Sequence, residues 1–213
     1  MYSTRDERSE YCAKKYEEYL KGNVLDVGCW EKDLQKYLPV NVNYTGIDIA
    51  GDYDIQVDLE KGEIPFADNK FDCVVCTDVL EHLDSLHKVF SELVRVTDKY
   101  VIVSLPNNWV PLKKPLLSGG GKLKQYGLSA VKPIDRHKWF FNFEDAETFF
   151  TERQSIDGYV IESCLAYPDF SMLKKKKFIK KVIKKVIGSS RYNNLFSSTI
   201  WVVLRKQENN VTG

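Results

Sequence analysis

Asn23-Val-Leu-Asp-Val-Gly-Cys-Trp30 is the stretch of the sequence that decides the fold. Its apolar residues predict a short buried strand from Val24 to Val27, which ends in a tight turn at Gly28. About twenty residues later a second predicted strand, Tyr44 to Ile47, is followed by Asp48. A strand, a glycine turn, a helix and a strand with an acidic end are typical of the first half of a nucleotide-binding βαβ unit.

The glycine pattern of a dinucleotide-binding loop is incomplete in this stretch. Trp30 and Lys32 stand where the next two glycines of that fingerprint would be. An ordinary buried strand followed by a turn would give the same sequence. The stretch alone therefore leaves open whether it forms a nucleotide site or only a part of the core.

The length and composition predict one globular domain over residues 1–213, since the chain has 213 residues and 43% of them are hydrophobic. The N-terminus is too polar for a signal peptide, and no apolar run approaches the roughly 20 residues that span a bilayer. Five cysteines lack framework spacing. Cys73 and Cys76 lie in one predicted strand and point to opposite faces, so they are not expected to share a metal or form a redox pair. Free cysteines of this kind suggest a cytoplasmic protein.

Strands alternate with helices along most of the chain, which predicts an α/β doubly wound sheet. Helices are expected over residues 5–21, 32–38 and 81–96, and from Asn142 onward. Ligands bind outside the carboxyl ends of the strands of such a sheet, where Gly28, Asp48, Asp58 and Thr77 all fall. The further strands are predicted at Asp54–Asp58, Phe71–Cys76, Tyr100–Ser104, Tyr159–Leu165 and Ser198–Leu204.

Two segments interrupt this alternation. Residues 105–139 are rich in proline and glycine and predict a lid-like loop without regular structure. Residues 170–195 predict a basic helical insertion around Lys174–Ile187, which has eight lysines and no acidic residue.

The charge is also uneven along the chain: residues 1–105 carry 12 basic and 21 acidic residues, and residues 106–213 carry 19 and 9. The second half is therefore expected to meet something anionic.

Several motifs together resemble the class I S-adenosylmethionine-dependent methyltransferases, in particular the methyltransferase type 11 group. The resemblance covers about residues 20–150, and the strand order extends it to about residue 205. It implies a Rossmann-like sheet of seven strands, mostly parallel with one antiparallel strand. The matching segments are Val24-Leu-Asp-Val-Gly-Cys29, Gly46-Ile-Asp48, Ile64-Pro-Phe-Ala-Asp-Asn-Lys-Phe-Asp72, Asp78-Val-Leu-Glu-His-Leu83 and Ser104-Leu-Pro-Asn107.

The resemblance implies S-adenosylmethionine as the cofactor and S-adenosylhomocysteine as the product. It places the loop at Gly28 around the methionine end, Asp48 at the ribose hydroxyls, and Asp58 with Leu59 at the adenine. It places Thr77 and Asp78 near the methionine and the sulfonium. The predicted cofactor-binding residues are Asp26, Gly28, Cys29, Trp30, Asp48, Ile49, Asp58, Leu59, Thr77, Asp78 and His82.

The chain departs from the family at Trp30 and Lys32, where the family usually has glycines. A bulky residue at a position that needs a positive φ costs of order 1 kcal/mol or more. This departure motivates an alternative function, a methyltransferase-fold protein that binds a ligand or partner without catalysis. A nicotinamide-dependent oxidoreductase shares Gly28 and Asp48, but the missing glycines and the segment Asp78–Leu83 count against it.

His137 is the residue that the sequence predicts as catalytic. Methyl transfer to an oxygen atom requires removal of its proton, and histidine titrates near working pH. His137 follows the fifth strand, where the family places substrate-side residues; otherwise it anchors the loop. His82 either lines the pocket or packs at a helix start, whereas His87 is expected in a helix as a surface or packing residue. No metal-ligand cluster is evident in the sequence, so no metal is predicted.

The acceptor is predicted to be a small molecule or a lipid-linked or glycan molecule. Thr77-Asp-Val-Leu80 replaces the Asn/Asp-Pro-Pro-aromatic tetrapeptide of enzymes that methylate nucleic-acid amines, which argues against nucleic acid. The helix Lys174–Ile187 has two interpretations. Its apolar stripe packs on the domain and its lysines face water, or it contacts an anionic membrane peripherally.

Overall fold

The computed structural model describes residues 4–121, 125–131, 133, 136–167 and 177–207. Among them, seven strands form one sheet in the order β3-β2-β1-β4-β5-β7-β6. Strands β1 to β5 run parallel, and β7 runs antiparallel to both of its neighbours. The predicted seven-stranded fold is confirmed. The strands are β1 (Asn23–Val27), β2 (Asn43–Asp48), β3 (Ile55–Gln56), β4 (Phe71–Thr77), β5 (Thr97–Pro106), β6 (Tyr159–Ala166) and β7 (Thr199–Lys206).

Strand β3 is shorter than the predicted strand from Asp54 to Asp58. Asp54 still bonds to Gly46 of β2, whereas Asp58 begins a 3₁₀ turn over Leu59–Lys61. The Asp54 carboxylate accepts a hydrogen bond from the Gly46 backbone N–H at 2.7 Å, and the Asp58 carboxylate accepts one from the Glu60 N–H at 3.1 Å. The turn after Asp58 takes the chain away from the sheet, and only Ile55 and Gln56 pair with β2.

Helices cover both faces of the sheet and bury two apolar layers. One layer lies under α1, and the other lies under α2 and α4. Cys73 belongs to the first layer and Cys76 to the second, as predicted for residues of opposite parity on one strand. The helices are α1 (Arg5–Lys15), α2 (Leu86–Val96), α3 (Trp109–Ser118), α4 (Phe143–Asp157), α5 (Lys177–Ile187) and α6 (Ser189–Phe196).

Three predicted helices are shorter than expected. Helix α1 ends at Lys15, and the predicted helix 32–38 is a 3₁₀ turn over Asp33–Tyr37. The predicted helix 81–96 is divided into a 3₁₀ turn, Leu80–His82, and helix α2. Leu83 adopts an extended backbone between them, and the Asp84 N–H donates to the Glu60 carboxylate. The Asp84 N–H therefore bonds to a side chain and not to a helical carbonyl, and the predicted helix is interrupted here.

The prediction that residues 105–139 lack regular structure is wrong for helix α3. Pro111 lies in the first turn of α3, where a backbone N–H needs no partner within the helix, so it does not disrupt the helix. Pro115 lies inside α3. Lys113 Nζ donates to the Leu195 carbonyl at 2.8 Å and lies over the Phe196 ring, which holds α3 against α6. Tertiary contacts therefore form a helix that the proline content disfavours.

The second half of the chain begins at helix α4, whose predicted start is confirmed. The Asn142 side chain accepts hydrogen bonds from the N–H groups of Glu144 and Asp145. Within the predicted basic insertion, α5 begins at Lys177; residues 174–176 lie outside the described residues. No helix in the described part of the chain has the length and apolar character needed to cross a bilayer.

Candidate active site

A cavity of about 600 Å³ opens at the carboxyl ends of β1, β2 and β4. Its volume lies in the range of small-molecule sites. Every residue predicted to bind the cofactor lines this one cavity, although these residues come from four separate segments of the sequence. The structure therefore brings the predicted cofactor residues together, and their individual roles stay predictions.

The turn at Gly28 forms the floor of the cavity. Gly28 has φ +78°, and its N–H donates to the Ile47 carbonyl at 2.8 Å. A Cβ atom at this position would lie 2.3 Å from Cγ2 of Val79. Only glycine allows the backbone to pass this close to the loop after β4, so the position needs glycine for both conformation and space.

The two glycine replacements keep the backbone that glycine would adopt. Trp30 has φ +51° and Lys32 has φ +53°. The Trp30 N–H donates to the Asp48 carboxylate at 2.8 Å, and the Arg5 guanidinium lies over its ring at 5.0 Å. Lys32 Nζ bonds to the Asp54 carboxylate at 2.7 Å. These contacts offset a strain of about 1 kcal/mol at each position, so the loop holds a positive φ at both positions without glycine.

Asp48 is fixed at the end of β2. One of its carboxylate oxygens accepts the Trp30 N–H, and the other accepts the N–H groups of Ile49 at 2.7 Å and Ala50 at 3.2 Å. A carboxylate offers about four acceptor positions, so it retains capacity for a hydroxyl of a ligand. Ile49 and Leu59 also line the cavity and provide apolar surface. These features fit a nucleoside.

Asp78 connects β4 to the N-terminal helix. Its backbone has φ +53°, its Oδ2 lies 2.5 Å from Arg8 Nη1, and its Oδ1 accepts a hydrogen bond from the Ser104 hydroxyl at 2.6 Å. Helix α1 thereby becomes a wall of the cavity, which the sequence analysis missed. The sequence does contain a signal for this wall, because polar residues of α1 recur at helical spacing and therefore share one face of the helix. The wall residues are Arg5, Arg8, Ser9 and Cys12.

Asp26 is 5% exposed and lines the cavity. Burial raises the pKa of its carboxyl to about 7, although a hydrogen bond from the Tyr44 hydroxyl at 2.8 Å and the charge of Arg8 act in the opposite direction. Asp26 therefore changes its charge in the neutral range, next to the turn at Gly28. A cationic group in the cavity would favour the charged form.

The raised pKa of Asp26 predicts a specific pH dependence of stability. The folded state holds this proton more tightly than the unfolded chain does, so Asp26 lowers the free energy of unfolding as the pH rises from about 4 to about 7. Relative to Asp26→Asn, the wild type should lose on the order of 2–4 kcal/mol across this window. Urea denaturation of both proteins at several pH values measures the difference. Parallel curves would contradict the prediction.

A second group of side chains lies beside the cavity. Glu81 is 1% exposed, and its Oε1 lies 3.8 Å from Nε2 of His82. The rings of His82 and His137 meet edge to face with centroids 4.8 Å apart. His82 lines the cavity, as do Arg136 and Lys138 on either side of His137. Sequence analysis did not predict this cluster, because His137 lies more than fifty residues from the other two along the chain.

His87 lies apart from this cluster. Its ring meets the rings of Trp139 at 5.4 Å and Phe149 at 5.8 Å. His87 is exposed and contacts aromatic side chains, in agreement with the prediction of a surface or packing residue.

The seven-stranded sheet and the cavity at its carboxyl edge together have the architecture of the class I methyltransferases. Residues 25–103 match the family model described as a methyltransferase domain. Residues 25–103 therefore resemble a methyltransferase domain, and the described part of the chain has the fold of S-adenosylmethionine-dependent methyltransferases. This match agrees with the predicted family and does not fit a nicotinamide-dependent oxidoreductase.

Solved structures with the same fold have low sequence identity to this chain. An S-adenosylmethionine-dependent methyltransferase from Archaeoglobus fulgidus is 16% identical, with 94% of each chain covered and a TM-score of 0.59. Magnesium protoporphyrin IX methyltransferase from Synechocystis PCC 6803, solved with bound S-adenosylhomocysteine, is 17% identical, with 95% of this chain and 81% of that chain covered and a TM-score of 0.54.

A third structure of the same fold is that of a [4+2]-cyclase, SpnF. It is 15% identical, with 95% of this chain and 81% of that chain covered and a TM-score of 0.56. No curated protein sequence matches the chain significantly. The acceptor has to be inferred from the site, because the fold alone does not specify it.

Proposed function

We propose that this enzyme methylates an oxygen atom of a small or lipid-linked acceptor, a glycan among them. The observation that carries the proposal is the cluster of Glu81, His82 and His137 beside the cofactor cavity. An oxygen acceptor must lose its proton as the methyl group arrives, and imidazole is suited to accept it. The buried Glu81 carboxyl group lies 3.8 Å from Nε2 of His82 and completes the cluster.

The hydrogen bonds of His137 support its predicted role as the proton acceptor. The Tyr126 hydroxyl donates to the Trp139 carbonyl at 2.7 Å, so it accepts a hydrogen bond from Nδ1–H of His137 at 3.2 Å. Nε2 of His137 then carries the lone pair. S-adenosylmethionine, when bound, supplies an electrophilic methyl group. The new O–C bond forms as the C–S bond breaks, and the acceptor's proton passes to the cluster.

A labelled methyl group tests the acceptor atom. The protein is incubated with S-adenosylmethionine carrying a ¹³C methyl group and with aqueous and organic extracts of cells. The ¹³C chemical shift of the product distinguishes O-methyl from N-methyl and S-methyl groups. We expect O-methyl products. Label found only on nitrogen or sulfur would contradict the proposal.

The exposed apolar residues of α5 support the proposed contact with an anionic membrane. Phe178 is 79% exposed and Val186 is 77% exposed. The helix contains five lysines and no acidic residue, and Lys180 and Lys184 lie over the ring of Tyr192 on α6. A helix packed only on its own domain would bury this stripe. Apolar side chains beside lysines fit the headgroup boundary of anionic lipid.

Vesicle sedimentation tests this contact. We expect binding to anionic vesicles at low salt, weakened by high salt, since each lysine near an anionic surface contributes about 1 kcal/mol. Lys181→Gln with Lys185→Gln should reduce binding by about tenfold or more. Lys14→Gln with Lys15→Gln removes the same charge from α1 and serves as the control. Equal, negligible binding to anionic and neutral vesicles would favour a solvated lysine face and a soluble acceptor.

A further inference from the structure

The cluster of Glu81, His82 and His137 contains more metal-binding groups than a proton acceptor needs. One carboxylate and two imidazoles offer ligand atoms that all lie within 4.8 Å of one another. Ligands around a divalent ion at about 2.1 Å lie about 3.4 Å apart in a tetrahedral site. Ligand atoms that are 4.8 Å apart need to approach by about 1.4 Å, which requires rotation of the side chains.

Hydrogen bonds at Nδ1 select, in both imidazoles, the tautomer in which Nε2 can bind a metal ion. Nδ1 of His82 lies 3.3 Å from the Arg136 carbonyl, which can only accept, so Nδ1 carries the proton. Nδ1 of His137 donates to the Tyr126 hydroxyl, as described above. In each ring the lone pair is therefore on Nε2. Metal-binding histidines in proteins characteristically donate their other N–H in this way, which fixes the tautomer and the ring orientation.

The backbone fixes the loop that carries His137. The N–H groups of Lys138 and Trp139 donate to the Glu81 carbonyl at 2.7 and 3.3 Å. Lys138 Nζ bonds to the carboxylates of Glu60 and Asp84, and the Trp139 indole N–H donates to the Leu83 carbonyl at 2.7 Å. These contacts join the segment 136–139 to the 3₁₀ turn that carries Glu81 and His82. The three groups are thus held together by the protein before any ligand binds.

We propose that Glu81, His82 and His137 bind a divalent first-row transition-metal ion, such as Zn²⁺, Co²⁺ or Mn²⁺, beside the cofactor cavity. A ligand set of one carboxylate oxygen and two imidazole nitrogens suits these ions, whereas Mg²⁺ prefers oxygen ligands alone. Glu81 is the most buried of the three and supplies the negative charge that partly balances the ion. Three protein ligands leave a position open for an exogenous oxygen.

The role of the ion deepens the proposed function and rests on it. An acceptor hydroxyl at the open position ionises near neutral pH, because a divalent cation stabilises the oxyanion. Its proton then passes to solvent, the oxygen attacks the methyl carbon, and the electron pair of the breaking C–S bond stays on sulfur. In the ion-loaded enzyme His137 thus acts as a ligand instead of accepting the proton directly.

The test begins with protein freed of metal by a chelator and titrated with Co²⁺. Visible absorption reports coordination by nitrogen and oxygen ligands, and calorimetry with Zn²⁺ and Mn²⁺ measures stoichiometry and affinity. We expect one ion per chain, with affinity lowered about tenfold or more by His82→Gln or by His137→Gln. His87→Gln is the matched control, because His87 contacts Trp139 and Phe149 outside the cluster. Glu81→Gln is a further variant, used only if circular dichroism shows that it folds.

The outcomes separate this inference from the proposed function. Absence of binding at one ion per chain, or binding unchanged in both histidine variants, would overturn the site. Full O-methylation by the metal-free protein would overturn the role of the ion and leave the proposed function intact. Ion binding together with label only on nitrogen would support the site and contradict the proposed oxygen acceptor.

Discussion

Replacement of His137 by alanine should lower the turnover of methyl transfer by about a hundredfold or more, the usual contribution of a positioned acid–base group. The residue contributes whether it accepts the proton directly or holds an ion that ionises the acceptor. Binding of S-adenosylhomocysteine should stay within about twofold of the wild type, because His137 does not line the cofactor cavity. Single-turnover kinetics and calorimetry measure the two quantities.

Two comparisons sharpen this experiment. His137→Gln retains a polar group that can bond to Tyr126, so a rate loss in this variant as well assigns the effect to the imidazole rather than to the position of the loop. His87→Ala removes a histidine that packs against Trp139 and should leave the turnover nearly unchanged. An unchanged rate in His137→Ala with the true acceptor would remove this residue from the mechanism.

Replacement of Gly28 by alanine should lower the free energy of unfolding by about 2–4 kcal/mol. A positive φ costs an alanine about 1–2 kcal/mol, and an overpacked contact adds about 1–3 kcal/mol. The new Cβ would lie 2.3 Å from Cγ2 of Val79. Both residues line the cavity, so cofactor affinity should fall as well. Urea denaturation and calorimetry with S-adenosylhomocysteine measure the two effects.

A control and a double variant separate the two causes. Gly158→Ala meets the same conformational cost at φ +73°, but no atom of the described residues beyond its chain neighbours lies within 4 Å of its new Cβ, so it should lose only about 1–2 kcal/mol. Val79→Ala removes the clashing methyl groups and leaves its own Cβ 3.4 Å from that of residue 28. The pair Gly28→Ala with Val79→Ala should therefore recover part of the loss. Equal losses of unfolding free energy in Gly28→Ala and Gly158→Ala would show that the contact with Val79 does not destabilise the Gly28→Ala variant.

The sequence by itself determined the sheet and the residues that line the cavity at the strand ends. Strands such as β1 and β4 are apolar on both faces, and turn residues mark their ends, so local pattern was sufficient. The carboxyl ends of parallel strands share one edge, which made it predictable that Gly28, Asp48 and Asp58 would meet. Trp30 and Lys32 did not obscure the signal, since both keep the backbone of the glycines they replace.

Only the tertiary structure decided the features that depend on contacts between distant segments. Arg8 reaches Asp78 across seventy residues and turns α1 into a wall of the cavity. The loop around His137 reaches the Glu81 carbonyl and creates the cluster. Helix α3 exists despite its prolines because Lys113 bonds to the Leu195 carbonyl. Periodicity and turn chemistry report only on neighbours along the chain, whereas these partners are chosen by packing and by the need of buried polar groups for hydrogen bonds.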